Sequence, residues 1–167
     1  MLILGIDPGS SSTGYGVVES RSGRLRVLTH GTIVPPRGLP FLERLPHIAA
    51  AIEGLVRTVA PDGAAVEDVF HARNSRVALQ LGHVRGAALL PLLRARVPVY
   101  EYAPRLVKKA VTGSGAAEKE QVRRMDRLLL GILDPSLPLD ASDALAVAIC
   151  HAHSIPCQGV REAVARA

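Results

Sequence analysis

The chain is poor in the residues that build cross-linked or membrane-bound proteins. It holds two cysteines in 167 residues, no tryptophan, three tyrosines and two phenylalanines. Two cysteines give no disulfide framework, so the fold must rest on its core, and a reducing cytoplasm is the expected compartment. No run reaches the roughly 18 apolar residues of a membrane-spanning helix. The opening MLILGIDPGSSSTG lacks a positive n-region and meets Asp7 after a few apolar residues, which excludes a signal peptide. Low-complexity segments and repeats at solenoid or propeller period are missing too. What is present is a hydrophobic share of 48%, enough for one continuous core. A single domain over residues 1–155 and a poorly ordered tail over 156–167 are expected.

Lysine is also scarce. Of 20 basic residues only Lys108, Lys109 and Lys119 are lysines, and they share one short window around a Gly-Ser-Gly loop. The formal net charge is +5, against 15 acidic residues. If four of those acids gather in one metal-filled cleft, the 20 basic residues face only 11 others. A basic body around an acidic pocket suits a polyanion that is both held and cut. Mild basicity by itself is common and decides little.

Local patterns predict the order of elements. Leu2–Asp7 is an apolar strand stopped by Asp-Pro-Gly. Tyr15–Glu19 and Leu25–Val34 are β-rich runs parted by Ser22-Gly23, which makes an antiparallel meander of three strands. Helical spacing runs from Phe41 to Val59, with a kink or late start expected at Pro46. Ala64–Phe70 is an interior strand. Asn74 caps a helix to about Ala95 whose last turn Pro91 interrupts, and Val97–Tyr102 is a further strand. Pro104 opens a helix, Glu118–Leu133 forms another, and Asp140 begins a last one ending near His153. The predicted class is α/β: a mixed five-stranded sheet, a meander followed by β-α-β units, with helices on both faces.

Four carboxylates stand where such folds place chemistry. Asp7 ends the first strand, Glu67 lies in an interior strand, and Asp140 and Asp143 share one face at a helix start. Hydrolysis of a phosphodiester by two metals roughly 4 Å apart needs several carboxylates, one of them shared. Hard oxygen ligands point to Mg²⁺ or Mn²⁺ rather than zinc. Each acid also has a plain structural reading. Asp7 can form a turn, Asp140 can cap a helix, and Asp143 can complement its dipole. Glu67 is the hardest to explain this way, because an interior glutamate needs a partner or a metal.

The segments ILGIDPGSSSTGYGVV, AVEDVF with RNSRVALQLGHVRGA, VYEYAPRLVKKAVTGSGAAEKEQV and DASDALAVAICHAH closely resemble the RuvC family of bacterial Holliday-junction resolvases. The resemblance runs in order from about residue 1 to 154. It implies a ribonuclease-H-like fold, a homodimer, and paired symmetric nicks at a four-way DNA junction. It further implies two Mg²⁺ or Mn²⁺ ions per site, and RuvA and RuvB as branch-migration partners. The family's catalytic carboxylates carry over to Asp7, Glu67, Asp140 and Asp143, and its functional basic residues to Lys108 and Lys119. Some members have histidine at the position matching Asp140. Phe70 is core by default, but in resembling proteins a phenylalanine here contacts bases. Arg73, Arg76 and Lys109 are phosphate-binding candidates, although isolated arginines such as the first two are more often plain surface charge.

Competing readings remain at this level. Gly5–Thr13 also resembles the first phosphate loop of sugar kinases and actin-type ATPases, which need a second domain that this chain lacks. A binding-only protein would hold the junction without cutting it, and a sister nuclease would cut RNA or RNA–DNA hybrids. Cys150, His151, His153 and Cys157 invite zinc, but neighbours on a helix point apart. His151 lies about 12 Å along a helix from Asp143, too far to join the acids.

Overall fold

The computed structural model describes residues 1–68 and 74–165, the side chains of 156–165 excepted. Strand β1 (Leu2–Pro8) pairs antiparallel with β2 (Thr13–Arg21), and β2 with β3 (Arg24–Ile33). Ser22 and Gly23 both take positive φ, 51° and 77°, which matches the right-handed twist of a two-residue hairpin. Helix α1 (Phe41–Val59) leads to β4 (Gly63–Glu67), and α2 (Ser75–Arg94) to β5 (Val99–Tyr102). Both of these strands run parallel to β1, so the sheet order is β3-β2-β1-β4-β5. Helices α3 (Pro104–Thr112), α4 (Lys119–Leu130) and α5 (Leu139–Ala165) complete the chain. The mixed five-stranded sheet with helices on both faces is the predicted class.

Strand alternation divides the interior into two cores. Leu4, Ile6, Val17 and Val66 pack with Ile48, Ile52, Val84 and Leu92 beneath α1 and α2. Ile3, Val18, Ala65 and Tyr102 pack on the other face with Val107, Val122, Leu145 and Ile149 from α3, α4 and α5. Side chains two apart share a face. Asp7 therefore follows Ile3 and Gly5, and Glu67 follows Ala65, onto the α5 side.

Glycine lets α5 come close on that side. A Cβ on Gly5 would collide with the carbonyl oxygen of Ala144, and one on Gly14 with that of Asp140. Gly16, which pairs with Gly5, would meet Leu145 Cδ2 at 2.5 Å. Three bare backbone positions thus form the seat of the helix that carries Asp140 and Asp143.

Helix α1 spans Phe41–Val59, as its spacing predicts, and starts ahead of Pro46 rather than late; the proline forfeits one backbone bond, to Leu42, while Phe41 and Leu45 still reach the core. One helix end differs clearly from expectation. Helix α5 continues past His153 to Ala165. The Asn74 cap is as predicted: its side chain accepts from the N–H of Arg76 at 2.8 Å.

Candidate active site

Asp7 and Glu67 stand at the C-terminal ends of neighbouring parallel strands, one residue beyond the paired Ile6 and Val66. Asp143 reaches them from the second turn of α5. Together with Lys108, Lys119, Pro104, Val107, Val122 and Ala146 they line a cavity of about 110 Å³. The N-terminus of α4 brings Lys119 in, and its ammonium bonds Asp143 Oδ2 at 2.5 Å. Lys108 comes from α3.

The electrostatics are those of acids crowded past comfort. Burial, then the charges of Asp143 and Glu67, push the Asp7 carboxyl up to about 7, against the pull of Lys119. Glu67 is raised for the same reasons, burial first and Asp143 next, with Lys119 and Lys108 opposing. Lys119 is held protonated by its hydrogen bond to Asp143 and by the charges of Asp7 and Glu67, against its desolvation. Two ammonium groups offset three carboxylates only in part.

That surplus fits a hard cation. The donors facing the cavity are carboxylate oxygens, and its volume holds an ion with a few waters, as Mg²⁺ prefers. Among the described residues no three acid, histidine or cysteine side chains close around a point in the manner of a preformed ion cage. Asp7, Glu67 and Asp143 would hold the ion through that open arrangement.

The remaining expected residues are distributed differently. Asp140 lies one turn before Asp143 and does not line the cavity; Ser12 Oγ donates to its Oδ2, and its charge still raises Asp7. Lys109 is exposed outside the lining, and Arg76 is exposed at the start of α2. Phe70 and Arg73 lie outside the described residues. His151 is buried, with Nδ1 2.6 Å from the Tyr102 hydroxyl and its ring 4.3 Å from that of Tyr100. It is a core residue, and it stays apart from the acids, as its distance from Asp143 along the helix requires.

Sequence reasoning missed a buried acid next to this site. Asp126 reads as solvated in the run Arg-Arg-Met-Asp-Arg, yet it is fully buried and accepts from Ser142 Oγ at 2.6 Å. Its Oδ1 has no hydrogen-bond partner among the described residues. Burial pushes it up to about 7; the Ser142 bond opposes this and the Asp143 charge adds to it. An acid raised in the folded state is stabilising while protonated, and that contribution is lost as pH rises from about 4 to about 7. Asp126→Asn should therefore shrink the loss of stability between pH 5 and pH 8 by roughly 2 kcal/mol or more. Urea midpoints at the two pH values check this.

The family model of crossover junction endodeoxyribonuclease RuvC matches residues 3–151. A protein of that name from Maricaulis maris is 51% identical over 153 residues, covering 90% of each chain. One from Chloroflexus aurantiacus is 46% identical over 156 residues, 93% of this chain and 95% of its own. The structure of Thermus thermophilus RuvC in complex with a Holliday junction substrate superposes with a TM-score of 0.88 at 35% identity, covering 95% and 96% of the two chains. The expected ribonuclease-H-like fold is thereby confirmed. A shared fold, a match along nearly the whole length and acids gathered at the strand ends lead to one assignment: the chain belongs to the RuvC family of crossover junction endodeoxyribonucleases.

Proposed function

We propose that this protein resolves four-way (Holliday) DNA junctions by paired symmetric nicks, with Asp7, Glu67 and Asp143 holding the catalytic metal. The observation that carries the reading is the cavity where these three acids meet Lys108 and Lys119. RuvC nucleases depend on a divalent metal. The all-oxygen donor set favours Mg²⁺ or Mn²⁺, and two ions at each site would activate water and stabilise the departing 3′ oxygen. Asp140 supports the second ion or tunes Asp7 through its charge. Lys119 and Lys108 place positive charge where the scissile phosphate becomes more negative. Phe70, Arg73, Arg76 and Lys109 serve as further DNA contacts.

Two symmetric nicks need two such cavities related by a dyad, so the acting form is a homodimer. Partnership with RuvA and RuvB rests on family membership. Residues 1–155 act as one nuclease domain. Among the described residues no helix is long and apolar enough to cross a membrane, and with two cysteines a cytoplasmic site of action is consistent.

The test is a labelled four-way junction incubated with the protein and Mg²⁺, Mn²⁺ or EDTA, beside linear duplex and RNA–DNA hybrid controls. Symmetric, metal-dependent nicks confined to the junction are expected. Binding without cleavage in either metal would overturn the reading, and preference for the hybrid would transfer it to RNA. Lys119→Met should slow single-turnover nicking by about 10–100-fold while weakening junction affinity only a few-fold, because one phosphate contact is lost among many.

A further inference from the structure

Glu67 is attached to the sheet on one side only. The ladder between β1 and β4 ends at Ile6 and Val66, whereas that between β4 and β5 continues to Glu67 and Tyr102. The last residue of β4 thus carries a carboxylate repelled by Asp143 and lacks a rung on the β1 side. A second support reaches it from behind. Arg85, on α2, donates through Nη1 to the main-chain carbonyl of Glu67 at 2.6 Å. Its Nη2 is buried and stands 2.8 Å from Glu101 Oε1, an ion pair without hydrogen-bond alignment. Alternation explains the meeting: Glu101 pairs with Val66, and both face α2 while Glu67 and Tyr102 face α5.

The charges that dominate the Glu67 carboxylate are Asp143, Lys119 and Lys108. Arg85 is not among them, so its influence passes through the backbone. We propose that Arg85 is a positioning residue for Glu67: held by Glu101, it pins the end of β4 so that the carboxylate stays in the cavity. The proposal rests on the reading of Glu67 as a metal ligand.

Thermal unfolding with Mn²⁺ alone as titrant separates positioning from mere structure. The wild type, Arg85→Met, Arg85→Lys and Glu101→Gln are compared for the Mn²⁺ concentration giving half of the ion-induced rise in Tm, and for the nicking rate. Arg85→Met should raise that concentration about tenfold, the order seen when a support behind a ligand is removed. Glu101→Gln should raise it a few-fold, and Arg85→Lys should recover part of the loss, since an ammonium can still reach one carbonyl. Junction affinity should stay within about twofold, because neither residue lines the cavity. A folded Arg85→Met with the wild-type Mn²⁺ midpoint, even at lower Tm, overturns the proposal. If Arg85→Met does not fold, Glu101→Gln decides: a wild-type midpoint there overturns it equally. A wild type that gains no stability from Mn²⁺ overturns the metal reading, and this proposal with it. Wild-type stabilisation indifferent to Arg85 overturns this proposal alone.

Discussion

Asp7→Asn should abolish nicking, by about 10³-fold or more, while leaving junction binding nearly intact. The side chain keeps its shape and its place between Glu67 and Asp143 but loses the charge that holds a cation. The proposed junction contacts are basic side chains that this substitution leaves in place, so a gel shift should scarcely change. The same substitution should make the metal-free protein more stable at pH 8. Asp7 has a folded pKa of about 7 against an ordinary value of 3.8, so wild-type stability falls as pH rises through that window. Asparagine has no proton to lose there. A gain in stability joined to a loss of activity is the mark of a residue strained for function. It follows that Mg²⁺ or Mn²⁺ should raise the Tm of the wild type more at pH 8 than at pH 5, where protons compete with the ion. Retained nicking in Asp7→Asn would remove this aspartate from the site.

Gly14→Ala should cost roughly 3 kcal/mol and lower activity further than that loss explains. The new methyl would collide with the carbonyl oxygen of Asp140 and lift the start of α5 from the sheet. Asp140 and Asp143 ride on the first two turns of that helix. Displacing a catalytic group by about 1 Å can cost on the order of 100-fold in rate. The comparison is Gly82→Ala on α2, where an added Cβ meets nothing within 4 Å. That change should stabilise by about 0.5–1 kcal/mol, through helix propensity, and leave nicking alone. Urea midpoints and single-turnover rates, taken where both variants are folded, separate the two effects. Equal behaviour of the two alanines would contradict the close seat of α5.

The contrast between Gly14 and Gly82 shows which parts of this molecule were legible in the sequence. Both are glycines in otherwise regular elements, and only the tertiary approach of α5 tells them apart. Asp7 and Glu67 were legible because strand period places them on one face and their neighbours read as interior. Lys119 was marked by the scarcity of lysine only together with the resemblance to the RuvC family, since a lone lysine cluster reads equally as a solvated helix face. The meander was legible because Ser22-Gly23 admits the backbone that a tight hairpin requires. Asp140 was grouped with Asp143 because three-residue spacing puts both on one face, and set below it because some resembling proteins have histidine there; its contact with Ser12 spans 128 positions, so no local pattern marks it. Asp126 and Ser142 meet across two helices whose relative placement no local pattern encodes. Arg85 was invisible for a similar reason. Its partner is a main-chain carbonyl, which every residue carries, so nothing in the sequence marks the contact.

The most direct test of the central claim is Mn²⁺ binding followed by electron paramagnetic resonance, at pH 8 without DNA, for the wild type, Asp7→Asn, Glu67→Gln and Asp143→Asn. The account predicts that the wild type takes up the ion and that each substitution weakens uptake by at least tenfold while the protein stays folded. Uptake unchanged in all three variants would place the metal elsewhere and contradict the active site described.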